Sequence, residues 1–332
     1  MRPLAESVDQ IAASSGFSGV VRVDTGDDAS FVSAYGLAHR GHRIANTVDT
    51  RFGIASGTKG LTALTVMTLV ESDQLDLATT ARSILGRDLP LIDDHVTVEH
   101  LLSHRSGIGD YLDEESVEAV TDYVMPVPVH RLARTEGYLA VLAGHEQVFA
   151  PGSRFSYNNG GFVVLALIAE RVSGVPFHRL VEDRVCGPAG MYDTAFLRSD
   201  EPTGRAALGY LHADGLRTNT LHLPVLGSGD GGIHSTAADV HAFWDALFAG
   251  RIVSANGVAD MVRPRTPGPA ARYGLGMWLH ATGTAVMLYG SDAGVSFRSL
   301  HDPATQITYT VLSNTTAGAW PIVEHLDKLL AT

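Results

Sequence analysis

Apolar residues recur along this chain with two periods, one typical of helices and one typical of strands. Near the N-terminus, Leu4, Val8, Ile11 and Ala12 fall on one helical face, which predicts an amphipathic helix over residues 4–14. The helical spacing also predicts helices over residues 61–70, 98–102, 127–142, 160–172 and 322–330.

Short runs rich in strand-forming residues lie towards both ends of the chain. Residues 19–23 and 31–35 flank the turn-rich segment Thr25-Gly26-Asp27-Asp28, which predicts a β-hairpin. After residue 270, closely spaced runs predict an antiparallel meander over residues 273–279, 285–289, 294–300 and 307–313.

These elements predict an α+β fold with one antiparallel sheet built from both ends of the chain. We expect residues 1–75 and 211–332 to form a discontinuous sheet subdomain and residues 76–210 to form a mostly helical one. The two parts would make one unit, with the functional site at their interface.

The composition of the chain argues against several classes of structure and partner. The 332 residues are 45% hydrophobic, enough for a sizeable core, and the single Cys186 excludes an internal disulfide. A formal charge of −12 disfavours nucleic acid and anionic lipid as partners. No apolar run is long enough for a membrane span, and the polar N-terminus lacks a signal core, so we expect a cytoplasmic protein.

The first candidate chemistry is the segment Ser56-Gly57-Thr58-Lys59 at the start of the helix predicted over residues 61–70. Residues three apart are neighbours on a helical turn, so the Lys59 amine would overhang the Ser56 hydroxyl. A serine is a poor nucleophile until a nearby group takes its proton, and a buried lysine has a lowered pKa that suits this role. The alternative is an ordinary serine at a helix N-terminus.

A second segment, residues 151–162, carries Tyr157 and Asn159 on a loop that leads into the helix predicted over residues 160–172. Tyr157 could relay a proton between a serine and a lysine, provided the lysine charge lowers the phenol's pKa. Asn159 could bridge Lys59 and a substrate carbonyl. The alternative is a turn tyrosine with its hydroxyl satisfied, beside a turn-forming asparagine.

Taken together, Ser-x-x-Lys followed by Pro-Gly-x-x-Phe-x-Tyr-x-Asn resembles the serine β-lactamase and penicillin-binding-protein-like superfamily, in its class C β-lactamase and esterase branch. Further segments resemble that branch in the same order, at residues 101–108, 186–194, 231–239 and 273–276. The resemblance implies a β-lactamase/transpeptidase-like fold, catalysis by Ser56, Lys59 and Tyr157, and no cofactor.

One box departs from the family pattern. Counting back from Phe297 places Gly290-Ser291-Asp292 where the family has Lys-Thr-Gly or His-x-Gly, so the cation that binds a substrate carboxylate is absent. By resemblance, Ser291 and Asp292 would contact substrate, and the N–H of Ala293 would join that of Ser56 in the oxyanion hole. Asp292 would repel an anion if it faces the cleft, or would instead pair with backbone N–H groups.

These residues predict a serine hydrolase that forms an acyl-enzyme on Ser56, esterase-like on neutral acyl substrates. A β-lactamase or D-amino-acid peptidase of the same family is the first alternative, and a non-catalytic ligand-binding or penicillin-sensing module is the second. The partner would be a small ester, amide or lactam, and the sequence leaves the oligomeric state open.

Rival sites have weaker support in the sequence. His100 and His104 could share one helical face, but no third metal ligand is evident. The sequence has no Gly-x-Ser-x-Gly nucleophile elbow and no complete dinucleotide-binding glycine pattern.

Overall fold

A six-stranded antiparallel sheet forms the centre of the protein. The computed structural model describes residues 2–26, 29–114, 117–201, 203–266 and 272–330. The spatial order of the sheet is β2-β1-β11-β10-β9-β8, so strands from both ends of the chain meet in its middle. These strands are β1 (Gly19–Thr25), β2 (Ala29–Tyr35), β8 (Trp278–Leu279), β9 (Val286–Asp292), β10 (Val295–Asp302) and β11 (Ile307–Ser313).

Shorter strands lie beside this sheet. A three-stranded sheet has the order β5-β7-β6, and β3 pairs with β4. They are β3 (Leu37–His39), β4 (Ile44–Ala45), β5 (Phe52–Gly53), β6 (Ala195–Phe196) and β7 (Ile233–Ser235). The predicted antiparallel α+β architecture is confirmed. Residues 27 and 28 of the predicted hairpin turn lie outside the described residues.

The helices are found before, between and after the strands. They are α1 (Arg2–Ser15), α2 (Thr58–Glu71), α3 (Ala81–Leu85), α4 (Val98–Leu102), α5 (Leu139–Leu142), α6 (Asn159–Ser173), α7 (Phe177–Val181), α8 (Gly187–Ala189), α9 (Ala237–Phe248), α10 (Ala255–Met261) and α11 (Trp320–Leu329).

Alternation along the strands sends side chains into two separate cores. In β1, Val21 and Val23 pack with residues of α1 and α11, whereas Val20 belongs to the larger core that contains α2 and α6. Because side chains alternate between the two faces of a strand, one valine-rich run covers both faces of the sheet. The sheet is therefore buried between two helical layers.

Helix α2 is the central helix of the larger core. Its residues from Thr58 to Leu69 are all buried, so it lacks the polar face of a surface helix. Its threonines find internal partners, as in the bond from Thr62 Oγ1 to the carbonyl of Gly229 at 2.7 Å. Buried polar groups that are satisfied in this way hold α2 in one position, and the residues at its N-terminus with it.

Two predicted elements differ from the structure. Residues 127–142 form 3₁₀ turns at Val129–Arg131 and Thr135–Tyr138 before the short α5. The carbonyls of Val129 and Leu132 accept bonds from residues 225 and 226, which a helix would have kept internal. In the segment 273–279 only β8 is a strand, because Gly276 has φ 80° and its N–H bonds to Leu102 O.

Within the described ranges, no single helix combines the length and hydrophobicity needed to cross a membrane. One pair of helices, Asn159–Ser173 and Phe177–Ala189, meets that requirement jointly but is bent by 86°.

Candidate active site

Ser56 lies in a single 3₁₀ turn, Ala55–Gly57, which joins β5 to α2. The turn is anchored where Ile54 N donates to Ile233 O at 2.9 Å, and Ala55 has a positive φ of 43°. Non-glycine residues rarely adopt this conformation, and such strain is concentrated at functional sites. The turn exposes Ser56 to a cleft and places it just before the N-terminus of α2.

Lys59 is 1% exposed and connects three parts of the chain. Its Nζ donates to Ser56 Oγ at 2.8 Å, to Asn159 Oδ1 at 2.8 Å and to the carbonyl of Asp230 at 2.9 Å. Burial lowers the pKa of this amine, while the carboxylates of Asp230 and Glu114 oppose that shift. The predicted contact between Ser56 and Lys59 is therefore present. At a given pH, a larger fraction of this amine is neutral than for a lysine in water.

The ring of Tyr157 lies beside these two residues. Lys59 Nζ is 4.9 Å from the ring centroid, and the Ser56 side chain is near enough to the phenol to lower its pKa slightly. Burial, reinforced by Glu114, raises the pKa of Tyr157 well above 10. The expectation that the lysine charge would lower this pKa is wrong, because desolvation dominates. The phenol therefore holds its proton at neutral pH.

Asn159 begins α6 and is fixed on both sides of its amide. Its Oδ1 accepts from Lys59, while its Nδ2 donates to Leu112 O at 2.9 Å and to Glu114 Oε1 at 3.0 Å. Asp110 accepts from the backbone N–H groups of Asn159 at 2.6 Å and Gly160 at 2.8 Å. A carboxylate that accepts the first amides of a helix stabilises that end.

Sequence reasoning missed the acidic residues around Lys59. Burial raises the pKa of Asp110 to about 6, and it also raises that of Asp230, which accepts a bond from the Tyr111 hydroxyl. Asp110 lies two residues after the segment Leu101–Ile108 that the resemblance had identified, and this position was the signal available for it. Asp230 immediately precedes the segment 231–239 that also resembles the family, but the sequence did not show that it approaches Lys59.

The cleft beside Ser56 is a cavity of about 330 Å³ that Asn159, Ser291 and Asp292 also line. Ala293 is 1% exposed, and its N–H donates to Asp292 Oδ1 at 2.7 Å. The prediction that Ala293 N–H is an oxyanion donor is therefore wrong in this structure, because the neighbouring carboxylate already occupies that N–H. Burial raises the pKa of Asp292 to about 7, and Glu114 and Asp230 act in the same direction.

Gly290 is the residue at which β9 packs directly against the turn that carries Ser56. A Cβ added there would meet Ile54 O at 2.1 Å and Gly57 N at 3.1 Å, so only glycine lets β9 approach the Ser56 turn this closely. The position that abuts the turn is three residues before Ala293. Counting back from Phe297 therefore gave the wrong register for this box.

Much of the cleft wall is apolar, with Leu112, Val120, Met125, Leu223 and Pro224 among its lining residues. The N–H groups of Val225 and Leu226 donate to the carbonyls of Val129 and Leu132, which hold the segment that carries Leu223 and Pro224 in place. Such a cleft offers an apolar surface next to a polar reaction centre, which is typical of sites for small organic ligands.

Each histidine of the pair considered as a metal site accepts a hydrogen bond from a backbone N–H. His100 Nδ1 accepts from Thr97 N at 3.3 Å, and His104 Nδ1 accepts from Asn158 N at 3.1 Å. Among the residues that the structure describes, no group of three or more His, Cys, Asp or Glu side chains is arranged to hold a metal ion.

The chain is similar to several known proteins. The family model described as Beta-lactamase matches residues 4–331. The crystal structure of a penicillin binding protein from Bacillus halodurans matches with a TM-score of 0.91 and 34% identity, covering 97% of this chain and 99% of that one.

Two curated relatives carry names of different kinds. The putative penicillin-binding protein PbpX of Bacillus subtilis is 27% identical over 266 residues, which are 80% of this chain and 62% of that protein. Esterase EstB of Burkholderia gladioli is 33% identical over 181 residues, which are 50% of this chain and 44% of that protein. The chain thus spans less than two thirds of the length of both relatives.

Proposed function

Because this chain belongs to the beta-lactamase family, we propose that it is a serine hydrolase that forms an acyl-enzyme on Ser56, acting on neutral acyl esters. The observation that carries the proposal is the hydrogen-bonded group of Ser56, Lys59 and Asn159 with the Tyr157 phenol beside it. A nucleophile bonded to its base, with that base oriented by a third group, is the arrangement that nucleophilic catalysis needs.

In the proposed reaction, neutral Lys59 accepts the hydroxyl proton of Ser56 while Ser56 Oγ attacks the acyl carbonyl. Tyr157 is protonated before the reaction, and it donates this proton to the departing alkoxide. The proton that Lys59 took from Ser56 then restores the phenol. Asn159 keeps the Lys59 amine directed at Ser56. A water molecule then attacks the acyl-enzyme, and the acid leaves with Ser56 restored.

We assign the second oxyanion donor to the N–H of Ser291. The hairpin between β9 and β10 has a two-residue turn closed by the pair Asp292 and Val295, and such turns are closed by a hydrogen-bonded pair. Hydrogen-bonded pairs alternate with open ones, so the N–H of Ser291, opposite Ser296, is directed away from β10. Its neighbour Gly290 abuts the Ser56 turn, which supports a shared oxyanion hole with Ser56 N–H.

Preference for neutral substrates rests on Asp292. This carboxyl lines the cleft on β9, the strand on which the family resemblance implies a cation, and it offers no charge-assisted contact to a substrate carboxylate. The apolar wall of the same cleft favours an uncharged acyl chain.

A second candidate, cleavage of amides whose acyl part carries an ammonium group, is supported by the carboxyl groups of Glu114, Asp230 and Asp292, which all line the cleft. D-amino-acid amides therefore belong in the same assay as the esters.

The direct test is a substrate panel with purified protein. We expect kcat/KM for p-nitrophenyl butyrate to exceed that for acetate, because each buried methylene contributes about 0.8 kcal/mol, or roughly fourfold. We expect a chromogenic cephalosporin to be opened much more slowly than either ester. Faster opening of the cephalosporin would assign the chain to the β-lactamase alternative, and faster release from D-alanine amide would favour the second candidate.

A pH experiment tests the role given to Asp292. Because its pKa is about 7, this carboxyl is mostly neutral at pH 6 and mostly ionised at pH 8. The preference for p-nitrophenyl butyrate over the p-nitrophenyl monoester of succinate should therefore rise over this interval, by roughly tenfold for one added charge in a partly screened site. The need for a neutral Lys59 as the base affects both substrates alike and cancels in the ratio. The charges of Lys59 and Asp110 also act on the succinate carboxylate, and these effects are the same in a variant that changes only Asp292.

The matched variant is Asp292→Asn, which keeps the shape and an acceptor for Ala293 N–H but cannot ionise. Its preference should match that of the native protein at pH 6, be lower at pH 8, and therefore rise less over this interval. An equally steep rise in the variant would show that Asp292 does not set the charge preference.

A further inference from the structure

His104 is a buried residue to which the proposed reaction assigns no role. It follows α4, is 1% exposed and has a positive φ of 54°. A bulky residue in this conformation is uncommon and needs surrounding structure to hold it there. Its contacts show what that surrounding structure is.

His104 binds the chain on both sides of Tyr157. Its carbonyl accepts from Ser156 N at 2.9 Å, and its Nδ1 accepts from Asn158 N at 3.1 Å. Ser156 and Asn158 are the two residues that flank Tyr157. One residue thus fixes the backbone immediately before and immediately after the phenol.

The imidazole also packs on the phenol ring itself. The two ring centroids are 4.3 Å apart with an interplanar angle of 35°, and Trp278 stacks on the same phenol at 5.9 Å. The rings of Phe162 and Tyr273 lie 5.0 and 4.7 Å from His104. Ring contacts at these distances restrict how Tyr157 can rotate.

The protonation state of His104 suits this contact. Burial, together with the charge of Lys59, holds the pKa of His104 well below its usual value, so the imidazole is neutral. Since Nδ1 accepts a bond, the proton is on Nε2, which is buried and has no hydrogen-bond partner in the described structure. The charged group that acts on His104 is Lys59. The pKa of Lys59 is in turn raised by the charges of Asp230, Glu114 and Asp110.

We propose that His104 is a positioning residue for Tyr157, holding the phenol at the Ser56–Lys59 pair through the two flanking amides and the ring contact. The inference rests on the proposed function, because it requires that Tyr157 take part in proton transfer. Misplacing a catalytic group by about 1 Å costs on the order of 100-fold in rate.

Two substitutions separate the two kinds of contact. His104→Asn keeps an acceptor at the position of Nδ1, and asparagine tolerates a positive φ, but the ring is lost. His104→Phe keeps a ring and loses the acceptor, which leaves Asn158 N–H buried without a partner. Tyr157→Phe and the double variant His104→Phe/Tyr157→Phe complete a double-mutant cycle.

The assay is hydrolysis of p-nitrophenyl butyrate, with kcat and KM measured separately and folding checked by near-UV circular dichroism and Tm. We expect His104→Phe to lower kcat by about 100-fold with little change in KM, and His104→Asn to restore part of that loss. If His104 acts through Tyr157, the double variant should be no slower than Tyr157→Phe alone, because groups that act as a unit are not additive.

Each other outcome overturns the inference. Multiplicative losses in the double variant would give His104 a role independent of Tyr157, and an unchanged kcat in folded His104→Phe would give it none. Loss in proportion to the unfolded fraction, with His104→Asn affected alike, would leave only a structural role. A fully active Tyr157→Phe would refute the proposed role of Tyr157, and with it this inference, whatever the histidine variants do.

Discussion

Replacing Ser56 with alanine is expected to abolish ester hydrolysis, with a loss of about 10⁴-fold or more in kcat. The variant lacks the Oγ that would attack the acyl carbonyl, and no other hydroxyl is hydrogen-bonded to Lys59 in the described structure. The fold should persist, because Lys59 keeps Asn159 Oδ1 and the carbonyl of Asp230 as partners. The measurement is p-nitrophenyl butyrate turnover at equal protein concentration, with Tm as the check on folding.

Labelling by a fluorophosphonate probe gives the same prediction a second readout. The native protein should be labelled stoichiometrically, and Ser56→Ala not at all. Ser153→Ala is the matched control, because Ser153 is an exposed serine on the loop before Tyr157 and should leave both labelling and turnover unchanged. A native protein that folds but does not label would instead support the non-catalytic sensing module.

Local spacing made the centre of this site predictable. Ser56 and Lys59 are three residues apart at a helix start, and that separation alone brings an amine over a hydroxyl. The structure places them 2.8 Å apart. The periodicity of residues 61–70 located the helix, although the structure shows that it is buried on every side rather than amphipathic.

Contacts between distant parts of the chain were harder to predict from the sequence. Tyr157 and Asn159 were identified by a family pattern, since nothing in their own spacing brings them to Lys59. Asp110 and Asp230 lie just outside the segments that resemble the family, two residues after residues 101–108 and one residue before residues 231–239, and nothing in the sequence showed that they approach Lys59. The pKa of Tyr157 was misjudged because the sequence does not reveal how strongly the phenol is desolvated.

The register of β9 against the Ser56 turn was the second feature that the sequence did not predict. A strand has a side-chain period of two, and a pattern of apolar residues does not show which residue of a hairpin turn comes first. Only the close approach of Gly290 to Ile54 O shows which part of β9 faces the nucleophile. This is why the oxyanion donor moves from Ala293 to Ser291 in the proposed reaction.

Substituting Lys59 is expected to have the next largest effect, a loss of about 10³-fold in kcat, within the range typical for removal of a general base. Lys59→Met removes both the charge and the base. Lys59→Arg keeps the charge, but its guanidinium stays protonated and cannot accept the proton of Ser56. If Lys59 acts as a base, both variants should be similarly inactive; if it acts only as a cation, Lys59→Arg should retain most of the activity.

The pH profile of the native protein carries the same argument further. Burial lowers the pKa of Lys59, so kcat/KM should rise with pH as the neutral amine becomes available and should level off once that amine predominates. Glu114 raises the Lys59 pKa by its charge, so Glu114→Gln should move this rise to lower pH. Glutamine can still accept the bond from Asn159 Nδ2, so the substitution changes charge while keeping the contact. Two outcomes would show that this rise in kcat/KM comes from another group and that Lys59 is not the base. One is a rise at the same pH in Glu114→Gln, and the other is a rise that persists in Lys59→Arg.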